Sequence, residues 1–208
     1  MIKAVIFDVD GVLLDSFEAN LKFFQDLMTY SGFRPPTAEE YSQLFHLSVW
    51  DLIKELTGLS LESDIKKIWD LADNRTVRYP VELLKTPDNI EAVILGLGKD
   101  YLLGVVTSRI GNSVYEAPEL AKLEPHFLVT ISYEDTINHK PHPEPLLLAA
   151  QKLGVEPGEA VYIGDAENDV KAARAAGMKV IFYSQETTKD ADACTSSFAS
   201  LPELIKTL

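Results

Sequence analysis

A single cysteine, Cys194, leaves no possibility of a disulfide within the chain, and a reducing compartment is the expected setting. Basic residues are scarce beside acidic ones: 19 Lys and Arg stand against 32 Asp and Glu, for a formal charge of −13. That balance argues against nucleic acid or an anionic membrane surface as the main partner, because both are held by clustered cations. An anionic substrate would need a metal or a few well-placed cations. No apolar run approaches the roughly 20 residues that span a bilayer. The first residues also lack the basic region, apolar run and small-residue cleavage site of a secretory signal. Internal repeats and low-complexity tracts are missing too. These absences set the expectation of a soluble cytoplasmic protein, and they leave monomer or homodimer open.

What is present is a chain of 208 residues with globular composition, 46% hydrophobic and 25% charged, long enough for a sizeable core with an insertion. Its most informative run is 2–14, IKAVIFDVDGVLL. Six of the seven residues before Asp8 are apolar, the near-continuous pattern of a strand covered on both faces. Asp8 and Asp10 fall where such a strand ends, and period-two geometry sends both side chains the same way. Carboxylates held side by side repel unless a cation or a shared proton separates them. That is an arrangement for chemistry rather than for stability.

Downstream, Phe17, Leu21, Phe24 and Met28 recur at helical spacing until Gly32. Thr37-Ala38-Glu39-Glu40 is a capping-box pattern for a second helix, Ser48 caps a third that ends at Gly58, and a fourth fits residues 61 to about 79. Past Pro80 the pattern changes. Thr86-Pro87 reads as a cap followed by proline at the first helical position, for a helix to about Leu97. Strands at 102–107, 127–131, 161–163 and 180–183 then alternate with helices at 144–153 and 166–176, which indicates βαβ units and a parallel sheet. Pro118 delays or kinks a further helix between Ser113 and Leu123. The expected organisation is an α/β core of residues 1–15 and 81–208, with residues 16–80 inserted as a bundle of four helices.

In an open parallel sheet, ligands bind beyond the carboxyl ends of the strands. The polar residues expected there are Asp8 and Asp10, then Thr107-Ser108-Arg109, then Asn138-His139-Lys140-Pro141-His142-Pro143, then Gly164-Asp165 with Asp169. Several carboxylates at one edge make an oxygen-ligand site for a hard cation, with Mg²⁺ the usual choice. A lysine and a hydroxyl can hold phosphate oxygens. One carboxylate can attack phosphorus and another can move the proton of the leaving oxygen, so the set suits phosphoryl transfer.

These residues resemble the four motifs of the haloacid dehalogenase superfamily, and within it the phosphatases with an α-helical cap inserted after the first motif. Asp8-Val9-Asp10-Gly11-Val12 is similar to the first motif, Thr107-Ser108 to the second and Lys140-Pro141-His142-Pro143 to the third. Gly164-Asp165 through Asp169, continuing to Ala175-Ala176-Gly177, is similar to the fourth. The resemblance implies a Rossmann-like three-layer α/β/α core under a helical cap, and it implies roles. Asp8 is then nucleophile and Mg²⁺ ligand, and Asp10 general acid/base with its backbone carbonyl on the metal. Thr107 and the Ser108 amide bind the phosphoryl group, Lys140 pairs with Asp8 and the phosphate, and Asp165 ligates Mg²⁺. Asp169 completes the metal set, as an outer-shell group or as the orienter of Lys140.

Family members that dehalogenate lack an acid at the second aspartate, so Asp10 favours phosphate chemistry. The implied activity is that of a phosphatase of small phosphorylated metabolites, of the phosphoglycolate phosphatase or sugar phosphate type, with a β-phosphoglucomutase-like transferase as the alternative. A receiver-like phospho-switch carries similar groups, but receivers are about half this length and no Asp ends the strand at 127–131 here. An inactive relative is the other non-enzymatic alternative. In the insertion, relatives often read Gly-Leu-Pro where this chain reads His46-Leu47-Ser48, which places His46 at the mouth of the site as a hypothesis. Phe45, Trp50 and Trp69 read as bundle core, Arg75 and Arg109 as residues of solvated faces, and His139 and His142 as loop residues rather than a metal pair.

Overall fold

The computed structural model of the chain describes residues 1–45 and 47–208. In chain order its elements are β1 (Ala4–Phe7), α1 (Phe17–Tyr30), α2 (Ala38–Leu44), α3 (Val49–Thr57), α4 (Glu62–Asp73), α5 (Ile90–Leu97), β2 (Leu102–Val106) and α6 (Pro118–Ala121). There follow β3 (Val129–Ile131), α7 (Glu144–Leu153), β4 (Ala160–Gly164), α8 (Glu167–Ala176), β5 (Lys179–Tyr183), β6 (Ala193–Thr195) and α9 (Leu201–Lys206). Internal contacts divide the chain into two units, Met1–Asp15 with Lys85–Leu208, and Ser16–Leu84.

The first unit is built on a sheet. Among the described residues its strands form one six-stranded parallel sheet in the order β3-β2-β1-β4-β5-β6. Helices cover both faces, which is why β1 reads as an unbroken apolar run: all four of its residues are fully buried. Ala4 and Ile6 pack with Tyr162, Val106 and Ile131 against the inner sides of α7 and α8. From the other face the Phe7 ring meets Phe127 and Phe198, each with centroids 6.2 Å away, and the α5–α9 layer lies there. Burying one such aliphatic or aromatic side chain is worth about 1.5–3 kcal/mol, so this core is what fixes the register of β1. The strand order reverses at β1, with β2 and β3 on one side and β4 to β6 on the other. A crevice therefore opens beyond the carboxyl ends of β1 and β4.

The second unit is a helical bundle whose buried core is Phe23, Phe24, Leu27, Met28, Tyr41, Leu52, Ile53, Ile65, Ile68 and Val77. The starts of α2 and α3 follow the sequence signals. The Glu40 amide donates to Thr37 Oγ1 at 3.2 Å and the Thr37 amide to Glu40 Oε2 at 2.8 Å, the reciprocal capping box that the motif foretells. Ser48 caps α3, and Gly58 closes it in the left-handed conformation. Phe45, Trp50 and Trp69 pack, partly buried, against the same core.

Several boundaries differ from the sequence expectation. Helix α4 stops at Asp73 rather than near Tyr79, because Arg75 takes a positive φ of 55° and the Thr76 amide turns back to Leu71 O at 3.0 Å. The reversal brings Val77 into the bundle, where it is 7% exposed. Helix α5 starts at Ile90, not after Thr86, since residues 87–89 form a turn ending in a left-handed Asn89. Strand β3 has three residues instead of five, whereas α6 begins at Pro118 itself. Substituting Thr37→Ala should cost about 0.5–2 kcal/mol of bundle stability by removing the cap. Urea denaturation followed by circular dichroism measures it, and an unmoved midpoint contradicts the capping account.

Candidate active site

The end of β1 presents the first group. The Asp8 amide still joins the sheet, donating to Ile163 O at 2.9 Å, and the chain then leaves strand geometry. The Leu14 amide donates back to Val9 O and the Gly11 amide to Leu14 O, both at 2.8 Å, around a Gly11 with φ +76°. Period-two alternation therefore stops at Asp8, and the two aspartates find different partners. Asp8 is 7% exposed and places Oδ2 3.0 Å from Lys140 Nζ, while its Oδ1 accepts from the Val9 amide at 2.8 Å. Glycine is required at 11 for a second reason: a Cβ there would lie 1.9 Å from Asp165 Oδ2. The loop backbone thus comes within reach of a carboxylate that any side chain would displace.

Lys140, in the loop between β3 and α7, is the hub. Its side chain is 7% exposed, and the ammonium donates to Asp169 Oδ1 at 2.7 Å and to the Tyr162 hydroxyl at 3.0 Å besides pairing with Asp8. Tyr162 in turn donates to Val106 O at 3.1 Å, which anchors the hub to the middle of the sheet. Asp169 lies in the first turn of α8 and accepts from the Ala166 amide through Oδ2 at 3.0 Å. Both of its oxygens are therefore engaged by protein donors. Burial pulls the Lys140 ammonium down, but Asp169 and Asp8 outweigh it and raise it well above its usual range.

Thr107 ends β2. It is buried, its amide donates to Ile131 O at 2.9 Å, and its Oγ1 accepts from the Arg109 amide at 3.1 Å. Ser108 beside it is exposed. Arg109 departs from the expectation of a solvated face. It is 9% exposed, and its guanidinium forks onto Asp10, Nε to Oδ2 at 2.9 Å and Nη2 to Oδ1 at 2.8 Å. Sequence reading therefore missed Tyr162, and it placed Arg109 at this edge without its pairing to Asp10. A tyrosine inside an apolar strand and an arginine directly after Thr107-Ser108 were the available signals.

Asp8, Asp165 and Asp169 each offer an oxygen within 4.8 Å of the others, a set that could hold a divalent cation. Desolvation is the main effect on two of them. It pushes Asp165 up to about 8, reinforced by the Asp169 and Asp8 charges, and Asp8 up to about 7 against the pull of Lys140. Several carboxylates thus share too little positive charge in a dry place, and a hard cation on oxygen ligands is what would relieve them. His139 stacks on Tyr133 with ring centroids 3.8 Å apart, and neither it nor His142 belongs to this acidic set. Arg75 is exposed on the helical unit, and His46 lies outside the described residues.

A family model described as haloacid dehalogenase-like hydrolase matches residues 5–183. The chain is 32% identical over 178 residues to the pyrophosphatase PpaX of Bacillus pumilus, covering 86% of this chain and 81% of that protein. It is 31% identical over 207 residues to a phosphoglycolate phosphatase of Salmonella typhi, covering 85% and 79%. A crystal structure of a haloacid dehalogenase-like hydrolase from Bacteroides fragilis shares the fold, with a TM-score of 0.85 over 97% of this chain and 100% of that one at 21% identity.

Two outcomes follow from the electrostatics and the packing. The carboxyl groups near 7 and 8 lie above their unfolded range near 4, so the cation-free protein loses stability as pH rises through that window. A cation must displace those protons. Mg²⁺ affinity should therefore grow from pH 6 to 8, with more protons released per ion at the lower pH. Calorimetric titration in two buffers of different ionisation enthalpy reads this directly, and a pH-independent affinity without proton release contradicts it. Gly11→Ala should weaken cation binding at least about tenfold, because the methyl group displaces Asp165 and the αL backbone is strained. Unchanged affinity in the same titration would remove that reading.

Proposed function

The chain belongs to the haloacid dehalogenase-like hydrolases, and from that premise we propose that it is a Mg²⁺-dependent phosphatase of small phosphorylated metabolites, of the phosphoglycolate or sugar phosphate type. The observation that carries this reading is Asp8: a buried carboxylate at a strand end, paired to Lys140 and facing Asp165, with Thr107 at the end of the adjacent strand. Relatives named as a pyrophosphatase and a phosphoglycolate phosphatase support the substrate class.

Each residue then has a task. Thr107 Oγ1 and the Ser108 amide hold phosphoryl oxygens, and Lys140 supplies a fixed positive charge to them and to Asp8. An Asp8 oxygen forms a bond to phosphorus while the bond from phosphorus to the leaving oxygen breaks, and Asp10 gives its proton to that oxygen. In the second half Asp10 takes a proton from water, the water oxygen attacks phosphorus, and the aspartyl-phosphate bond breaks to release phosphate and restore Asp8. Asp8 and Asp165, with the Asp10 backbone carbonyl, would hold Mg²⁺, which supplies neutralising charge to the nucleophile and the phosphoryl oxygens. Asp169 spends both oxygens on Lys140 and the Ala166 amide, which favours its reading as the orienter of the lysine. Tyr162 steadies the same ammonium from beneath.

Phosphate release from a panel of phosphate esters, with Mg²⁺ and with EDTA, tests the assignment. Wild type should turn over only with the metal, Asp8→Asn should abolish turnover, and Asp10→Asn should lower it by ~10²–10⁴-fold on esters with poor leaving groups. Turnover surviving in Asp8→Asn removes it as nucleophile, and absence of metal-dependent release from every ester overturns the phosphatase reading.

A further inference from the structure

Lys140 has three protons to give, and the protein surrounds them with three acceptors of its own. Asp169 Oδ1 lies 2.7 Å from Nζ, Asp8 Oδ2 lies 3.0 Å away, and so does the Tyr162 hydroxyl. An ammonium has no fourth proton. Both side chains are enclosed, Lys140 at 7% exposure and Tyr162 at 0%, so water has little access to either. A phosphoryl oxygen entering the site therefore meets the charge of Lys140 but no proton left to share.

The three partners are not equal. Asp8 and Asp169 hold the lysine by opposite charge as well as by geometry, whereas Tyr162 holds it by a hydrogen bond alone. The direction of that bond is fixed. A lysine accepts nothing, so the hydroxyl must accept from it. Its own single proton goes to Val106 O at 3.1 Å, with Asp169 Oδ1 farther off at 3.4 Å. Losing the lysine would leave the hydroxyl still bonded to Val106 O, while either carboxylate would lose its cation. Tyr162 thus holds the one proton that an oxyanion can contest.

We propose that Tyr162 competes with a bound phosphoryl group for the third proton of Lys140, and so keeps the affinity of the site for free phosphate low. The effect passes through the lysine, which makes Tyr162 a positioning residue. Its use is in release: a site that gave the oxyanion one more donor would hold its product longer. The inference rests on the phosphatase reading and goes beyond it in naming what loosens the grip on phosphate.

Calorimetric titration with inorganic phosphate, Mg²⁺ present, compares wild type with Tyr162→Phe. The variant leaves one buried N–H of Lys140 without an acceptor, and an unpaired buried donor is unfavourable until a phosphate oxygen takes it. Tyr162→Phe should therefore bind phosphate at least about fivefold more tightly than wild type. A tyrosine that only braced the lysine would give the opposite sign, because a loosened lysine binds phosphate no better. Equal or weaker binding in Tyr162→Phe overturns the competition. Should that variant fail to fold, Tyr162→3-fluorotyrosine keeps the hydroxyl and its bond to Val106 O while making the oxygen a poorer acceptor. It should tighten phosphate by a smaller factor, and unchanged affinity overturns the competition as well. No phosphate binding by any of these proteins also overturns it. The phosphatase reading fails separately, by absence of Mg²⁺-dependent release from every ester.

Discussion

One buried ammonium organises the catalytic unit. Lys140 sits where two carboxylates and a tyrosine hydroxyl converge, and Asp169 and Asp8 outweigh the cost of burying its charge. The converse holds for the acids. With one lysine among them, Asp8 and Asp165 are pushed towards neutrality, so the site is short of positive charge by construction. A hard cation on oxygen ligands is the kind of group that would relieve such a shortage. The same imbalance would favour the binding of a cation there.

The fold creates that imbalance at low cost elsewhere. Parallel strands end together, so β1 and β4 deliver Asp8 and Asp165 to one crevice without any loop having to reach for it. Tyr162 ties the lysine to the sheet through Val106 O, and α8 begins close enough to β4 that Asp169 serves as both helix-start acceptor and lysine partner. Gly164 makes room for it: a Cβ there would fall 2.3 Å from Asp169 Cβ. Rigid elements therefore hold the groups whose spacing matters, and the tight Gly11 turn brings the Asp10 loop against Asp165.

The second unit obeys separate rules. Its helices are bounded by local chemistry, the Thr37–Glu40 capping box and the Ser48 cap, and its core is an aromatic and aliphatic cluster of its own. The Phe17, Tyr41 and Phe45 rings meet at centroid distances of 5.5–5.9 Å, which gives the bundle a directional packing beyond area alone. Where the sequence expectation overran, at the end of α4, the chain turns at a left-handed Arg75 and Val77 is buried in the bundle.

By itself the sequence determined the parts that depend on neighbours along the chain. The apolar run into Asp8, the alternation of strands with helices, the capping boxes and the order of Thr107, Lys140 and Asp165 are all local patterns, and period and propensity are local physics. It could also say that these groups share one edge, because parallel strands share a direction. Which partner each side chain takes was decided only by the tertiary structure. Strand periodicity grouped Asp8 with Asp10, yet one is paired to Lys140 and the other to Arg109, 99 positions away in the chain. Tyr162 read as an apolar strand residue and is a hydrogen-bonding post beneath the lysine. Such pairings are set by charge and burial among residues that meet only once the sheet is assembled, and no pattern along the chain carries that information.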